Sequence, residues 1–224
     1  MVLDMAGTTV RDDDAVNDCL RQTLAANSVP VTRSEVNEVM GLAKPLAIRK
    51  LLEHKRNGHP AAEQKIMAIH NDFLQRMLHH YQTSPAIEPM PHTMDAFAQL
   101  KEEGLRIALD TGFSRVIVDA ILERLGWRES GLLDATVASD EVARGRPDPD
   151  LVFKAMELTG VTAPQAVAKV GDTPSDLHEG SAAGSGLVIG VTNGSHTIQE
   201  LRPHPHTHLI SSLSQLPELV LAHV

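Results

Sequence analysis

The apolar positions of this chain change period along its length, and the changes divide it. Val2-Leu3 ahead of Asp4 is a short apolar run with no helical repeat. After Val10 the period turns helical: Val16, Leu20 and Leu24 recur four apart and stop at Asn27-Ser28-Val29-Pro30. Thr32 followed by Glu35 has the spacing of a capping box, so a second helix is predicted to start there and run to Met40-Gly41. Pro45 opens a third, where its missing N–H costs little, with Ile48, Leu51 and Leu52 as its buried stripe. Asn57-Gly58-His59-Pro60 breaks the chain before a longer helix predicted over 61–81, carrying Ile66, Ile69, Phe73, Leu74 and Met77. Nothing between 12 and 84 calls for a strand.

Beyond that block the pattern alternates. Helices are predicted over 93–103, 114–125, 148–159 and 176–183, and strands over 105–109, 135–138, 167–170 and 187–191. Such alternation predicts an α/β fold with a doubly wound parallel sheet and helices on both faces. The expected organisation is a core of residues 1–11 and 85–224, interrupted by a small helical cap at 12–84. Gly184, Gly186 and Gly190 read as turn and close-packing positions.

Composition narrows the function classes. The 224 residues are 42% apolar, enough for one sizeable core and a smaller appended unit. A net charge of -9 without a basic stripe argues against nucleic acid as a partner. No apolar run approaches the ~18 residues of a membrane span, and no signal-peptide pattern opens the chain. Cys19 is alone, so no internal disulfide forms, and a cytoplasmic location is expected. Only two apolar residues stand between Met1 and Asp4, so either the first strand is short or the natural chain starts earlier. His204, His206 and His208 alternate without an accompanying acid or Cys cluster and read as a surface tract. The other histidines singled out, His54, His70, His79 and His80, fall on cap helices, mostly in solvent, with a place in the cleft open to one of them. Trp127, Phe73 and Phe97 read as packing residues. No Gly-x-Gly-x-x-Gly follows the first strand, which argues against a dinucleotide site.

Four runs carry the chemistry. Asp4-Met5-Ala6-Gly7-Thr8-Thr9 and Gly171-Asp172-Thr173-Pro174-Ser175-Asp176 each place a carboxylate at a strand's C-terminal end, where open parallel sheets bind ligands. Carboxylates brought together there need a hard cation, and Mg²⁺ shared with substrate phosphate oxygens suits that demand. Between these runs, Asp110-Thr111-Gly112 offers a hydroxyl and backbone N–H groups at a strand-to-helix junction, and Arg146 offers a guanidinium on a Gly/Pro-stiffened loop. Both can hold phosphoryl oxygens.

The order Asp, Thr, Arg, paired Asp resembles the haloacid dehalogenase (HAD) superfamily, whose phosphotransferase members form an aspartyl-phosphate. The resemblance covers the core and extends into the cap. It implies Asp4 as nucleophile, with the metal held by Asp4, the Ala6 carbonyl and Asp172, and Asp176 in support. It also implies Thr111, Gly112 and the Gly7-Thr8 backbone as phosphoryl ligands. Ala6 is the discriminating position. Most phosphatases of the superfamily carry an acid there, a contribution of about 10²–10⁴-fold in general acid catalysis. Asp-x-Ala-Gly-Thr-Thr-Val resembles instead the phosphonoacetaldehyde hydrolase (phosphonatase) subfamily, in which a cap lysine forms a Schiff base with the substrate aldehyde. Met40-Gly41-Leu42-Ala43-Lys44 resembles that cap loop, and Lys44 falls on the lysine. The chain departs at Ala47, where the family has His, at Phe113, where it has Tyr, and at Asp14, where it has Cys; Cys19 does not align with that Cys.

The implied function is a Mg²⁺-dependent, phosphonatase-like hydrolase of a P–C or P–O bond in a small phosphonate or phosphate metabolite, with a homodimer left open. Two alternatives stand beside it. One is a phosphoglycolate- or sugar-phosphate-type phosphatase in which Lys44 only grips the substrate. The other is a non-catalytic metabolite-binding module.

Overall fold

In the computed structural model, which describes residues 1–223, six strands form one sheet. They are β1 (Val2–Asp4), β2 (Ala108–Thr111), β3 (Ala135–Ala138), β4 (Ala168–Gly171), β5 (Leu187–Val191) and β6 (His208–Ile210). Their order is β3-β2-β1-β4-β5-β6, with every neighbouring pair parallel. Chain order reverses at β1, which is where such sheets open a crevice beyond the strand ends. Side chains alternate across a strand, and β1 shows the consequence. Leu3 joins the larger apolar cluster with Leu109, Val170 and Ile189, while Val2 joins the opposite one with Ala108, Val137, Leu151 and Val152. With both faces covered, even this three-residue strand is anchored, and Leu3 is fully buried.

Between β1 and β2 run α1 (Ala15–Ala26), α2 (Arg33–Asn37), α3 (Lys44–Lys55) and α4 (Glu63–Thr83), with no strand among them. Thr32 caps α2 as its spacing predicts. Its hydroxyl accepts from the Glu35 N–H at 3.2 Å, and the Glu35 carboxylate accepts from the Thr32 N–H at 2.7 Å. The apolar stripes of these helices share one contiguous cluster with the sheet, so the insert is seated on the core. The chain enters it through Asp13 and Asp14, both in the left-handed region at φ 45° and 68°. Arg33 forks onto the Asp14 carboxylate at 2.8 and 3.0 Å and ties this entry to α2.

The remaining helices are α5 (Thr93–Glu102), α6 (Arg115–Arg124), α7 (Asp150–Thr159), α8 (Pro174–Ala182), α9 (Ile198–Leu201) and α10 (Leu216–Leu221). Three expectations are corrected here. The second strand covers 108–111 rather than 105–109, because Leu105 N–H closes α5 on the Leu100 carbonyl while Asp110 and Thr111 pair with Val137 and Ala138. The helix expected from Asp176 starts at Pro174, since Thr173 is its cap. The third correction is at the C-terminal end, where β6, α9 and α10 were not anticipated: β6 is three residues long and its His208 masks the apolar alternation. Phe97 and Trp127 pack together at 5.9 Å between ring centroids, as core residues.

Candidate active site

The C-terminal ends of β1, β2 and β4 converge. Asp4 is the last residue of β1 and is 5% exposed. After it the chain turns back on itself: Thr8, Thr9 and Val10 N–H groups all donate to the Met5 carbonyl, and Gly7 N–H donates to the Val10 carbonyl. This corrects one expectation, because the Gly7 and Thr8 N–H groups are committed to the loop and are not free for a phosphoryl oxygen. Ala6 is the free residue. Neither its N–H nor its carbonyl has a hydrogen-bond partner among the described residues, and it lines the cavity beside Asp4. Gly7 is required at its place: at φ 90°, a Cβ there would stand 2.3 Å from the Asp172 carboxylate.

Asp172 follows β4 directly. Thr8 Oγ1 donates to its Oδ1 at 3.0 Å and Ser195 N–H to its Oδ2 at 2.6 Å. Asp176 is the third residue of α8 and completes a capping box. Its Oδ2 accepts from Thr173 N–H at 3.2 Å and from Thr173 Oγ1 at 2.6 Å. Its Oδ1 is buried without a well-aligned hydrogen bond, 3.0 Å from Arg146 Nη1 and 3.1 Å from Lys169 Nζ. Oxygens of Asp4, Asp172 and Asp176 lie within 4.8 Å of one another, close enough to share one cation. Hard oxygen donors of this kind fit Mg²⁺.

Charge points the same way. Asp4, Asp110, Asp172, Asp176 and Glu179 are buried here against three buried cations, Arg146, Lys169 and Lys44. A divalent ion would cancel the excess. Without one, burial pushes Asp4 up to about 8, assisted by Asp176 and Asp172 and opposed by Arg146. Burial and then Asp110 push Glu179 up to about 8 as well. Asp172 is raised by burial and by Asp176.

Arg146 is fully withdrawn from solvent. It donates to Asp4 Oδ1 at 2.6 Å through Nη1, to Asp110 Oδ1 at 2.5 Å through Nη2, and to Glu179 Oε2 at 2.9 Å through Nε. The expected phosphate fork is thus corrected: all three guanidinium nitrogens are held by carboxylates, and Arg146 orients Asp4 from behind. Lys169 mirrors it, with Nζ 2.5 Å from Asp110 and 3.1 Å from both Asp176 and Glu179. Burial alone would raise Asp110, but Arg146 and Lys169 outweigh it and hold that carboxyl at about 2.

Thr111 ends β2, and its hydroxyl accepts from the Phe113 N–H at 3.2 Å. The insert lies directly on this loop. A Cβ on Gly112 would meet the Leu42 carbonyl at 2.5 Å, and one on Gly41 would meet Thr173 Oγ1 at 2.4 Å. Ser175 Oγ also donates to the Met40 carbonyl at 3.1 Å. The cleft is closed down to a cavity of about 20 Å³, room for about one water, between Asp4, Thr111 and Arg146 on one side and Val16, Met40 and Lys44 on the other. Lys44 is the first residue of α3 and only 5% exposed. Its Nζ donates to the Leu42 carbonyl at 3.3 Å and stands 5.0 Å from the centroid of the Phe113 ring. Burial pulls it down to about 8, against the opposing pull of Asp4.

A model of haloacid dehalogenase-like hydrolases matches residues 1–184. Phosphonoacetaldehyde hydrolase of Bacillus cereus is 33% identical over 211 residues, covering 87% of this chain and 76% of that protein. This chain belongs to the haloacid dehalogenase-like hydrolases, on the phosphonatase-like side of that family. A solved phosphonoacetaldehyde hydrolase-like protein from Oleispira antarctica shares the fold at a TM-score of 0.86, with 22% identity over 99% of this chain and 90% of that one. A putative phosphoglycolate phosphatase from Lactobacillus delbrueckii shares it at 0.80, with 17% identity over 98% and 96%.

This HAD hydrolase is an enzyme, which removes the alternative of a non-catalytic module. No helix among its described residues is long and apolar enough to cross a membrane. Three residues of its site were missed in the sequence: Asp110, Lys169 and Glu179. Lys169 had left a signal, a lone charge inside the otherwise apolar Val167-Ala168-Lys169-Val170. Glu179 had a weaker one, three residues after Asp176 on the same helix face. Among the cap histidines, His70 and His80 are half-buried, and His70 is the one whose pKa is lowered by burial and then by Lys44. Its Nδ1 has no partner.

Proposed function

We propose that this hydrolase cleaves a small carbonyl-bearing phosphonate by Mg²⁺-dependent transfer of the phosphoryl group to Asp4. The observation that carries this reading is Lys44, a buried lysine whose Nζ contacts one backbone carbonyl and an aromatic face and no carboxylate, on the opposite wall of the cavity from Asp4. A lysine held at about 8 supplies a neutral amine near physiological pH. That amine adds to the substrate carbonyl and water departs, leaving a protonated imine on Lys44. Asp4 then attacks phosphorus. The P–C bond breaks, and its electron pair passes onto carbon and toward the iminium nitrogen, giving an enamine. Water hydrolyses the acyl-phosphate to phosphate and free Asp4. The enamine takes a proton and hydrolyses to the aldehyde and Lys44. In the phosphoryl-transfer step the leaving atom is carbon, so no oxygen leaving phosphorus needs a proton, which agrees with Ala6 standing where an acid would otherwise serve.

Arg146 holds the Asp4 carboxylate in line, Asp110 and Glu179 hold Arg146, and Lys169 contacts the same two carboxylates. Thr111 Oγ1, Gly112 N–H and the free Ala6 N–H border the phosphoryl side. Asp4, Asp172, Asp176 and the Ala6 carbonyl would hold Mg²⁺, which, when bound, neutralises charge on the transferring group.

A second reading keeps the Asp4 step but gives Lys44 only an anion to grip, with a phosphate ester as substrate. It is favoured by Ala47, fully buried and without a polar atom, and by Phe113, without a hydroxyl. Phosphate release from phosphonoacetaldehyde and from phosphoglycolate, assayed side by side, separates the two.

The metal requirement has its own test. Exhaustive EDTA treatment is expected to abolish turnover, and Mg²⁺ to restore it. Saturating Mg²⁺ should raise the Tm of the wild type by at least about 5 °C. Asp172→Ala should lose both responses. Activity that survives EDTA counts against the metal site.

A further inference from the structure

The segment at 40–44, which ends on Lys44 at the start of α3, lies against three core loops at once. A Cβ on Gly112 would meet the Leu42 carbonyl at 2.5 Å and the Gly41 carbonyl at 2.7 Å, and one on Gly145 would stand 3.4 Å from Ala43 Cβ. One on Gly41 would stand 3.0 Å from Ser175 Cβ. Within this close fit there is a single polar tie. Among the described residues, the bond from Ser175 Oγ to the Met40 carbonyl, at 3.1 Å, is the only hydrogen bond that reaches the segment from the core. Each partner depends on the other. Met40 is 6% exposed and no N–H of its own segment reaches its carbonyl, so without Ser175 that oxygen would be buried unpaired. Ser175 is the second residue of α8, yet it caps nothing, because Thr173 is the cap, and the Met40 carbonyl is the one partner of its hydroxyl.

The cavity shows what the tie is for. With room for about one water between Asp4 and Lys44, it admits no phosphonate or phosphate ester while the segment is seated. The segment therefore leaves the core in each turnover, and the Ser175–Met40 bond breaks and re-forms with it. Resting on the role given to Lys44 above, we propose that Ser175 is a positioning residue for Lys44: its hydroxyl, through the Met40 carbonyl, latches the 40–44 segment onto the core and holds the lysine across the cavity from Asp4. The bond spans 135 positions of chain and joins the turn that carries Asp176 to the segment that carries Lys44.

Acylation of lysines by acetic anhydride, followed peptide by peptide in the Mg²⁺-loaded protein by mass spectrometry, reads the seating. The reagent is larger than the cavity, so it reaches Lys44 Nζ only when the segment lifts, and the rate follows the lifted population. Lys50, exposed on α3, and Lys169, buried in β4, serve as references. In the wild type Lys44 should label far more slowly than Lys50. Ser175→Ala should speed the labelling of Lys44 at least about fivefold, the worth of one hydrogen bond, with Lys169 unchanged. Ser175→Thr and Ser175→Val then separate hydroxyl from shape, since the two side chains are nearly alike in form and only threonine donates. Lys44 should label at least about threefold faster with valine than with threonine. A Ser175→Ala rate within about twofold of wild type overturns the proposal, as do equal rates for the threonine and valine variants. A rise at Lys169 in step with Lys44 overturns it too, by showing a general loosening of the fold. Acylation needs no turnover, so these rates are read whether or not an imine is trapped, and failure of the phosphonate reading shows separately as an absence of trapping.

Discussion

Asp4→Asn is expected to abolish turnover while leaving the fold in place. The amide is nearly isosteric, and its oxygen can keep the contact that Arg146 Nη1 now makes at 2.6 Å. It cannot attack phosphorus as a carboxylate does, and it is a poorer ligand for a hard cation. Loss of at least about 10³ in kcat is expected, and a variant retaining more than about a tenth of it, a barrier change under ~1.4 kcal/mol, sinks the nucleophile assignment. Stability gives an independent check. In EDTA, Asp4 sits at about 8 against an unfolded value of 3.8, so between those limits the folded state binds the extra proton and stability falls as pH rises. Asp4→Asn removes that contribution. Metal-free variant and wild type should therefore diverge in Tm from pH 4 upward, with the variant the more stable near neutrality.

Lys44→Arg separates the two chemistries. Arginine keeps the charge and forms no imine, so cleavage of a carbonyl-bearing phosphonate should fall by several orders of magnitude. If Lys44 only grips an anion, the same variant mainly raises KM, because uniform binding has been removed. Borohydride added with phosphonoacetaldehyde should inactivate the wild type irreversibly and leave added mass at Lys44. The pH profile carries a matching signature. Lys44 is pulled down to about 8 in the folded protein, so the amine fraction, and with it the rate, should climb about tenfold per pH unit below that value and level off above it. Absence of trapping together with brisk hydrolysis of phosphoglycolate removes the imine from the mechanism.

The fold was legible in this sequence wherever a period ran long enough to be read. The stripe through Ile66, Ile69, Phe73 and Met77 marks α4, and the Thr32–Glu35 pair marks the start of α2. The alternation after residue 93 marks the doubly wound sheet. β6 escaped because three residues do not establish a period, and the boundary of β2 slipped because buried parallel strands carry apolar runs rather than alternation. The position of Lys44 at the start of α3 followed from Pro45. What the sequence did not convey was how the carboxylates are neutralised. Arg146 reads as a loop guanidinium free for phosphate, and only the fold brings Asp110 and Glu179 to it from β2 and α8. Lys169 was visible as an anomaly inside a strand, yet one partner, Asp110, lies 59 positions back, and the others, Asp176 and Glu179, lie seven and ten positions ahead on the following helix.

Asp4 as the phosphoryl acceptor is the claim on which the account turns, and covalent trapping tests it most directly. Phosphonoacetaldehyde and phosphoglycolate, each labelled with radioactive phosphorus, are mixed with a stoichiometric amount of the Mg²⁺-loaded enzyme, and the reactions are quenched in acid on the millisecond scale. The predicted result is an acid-stable, base-labile label that appears before free phosphate with at least one of them, maps to the peptide containing Asp4, and is absent from Asp4→Asn. Phosphate released in the first turnover with no label on the protein at any quench time, or with the label on another residue, would contradict it.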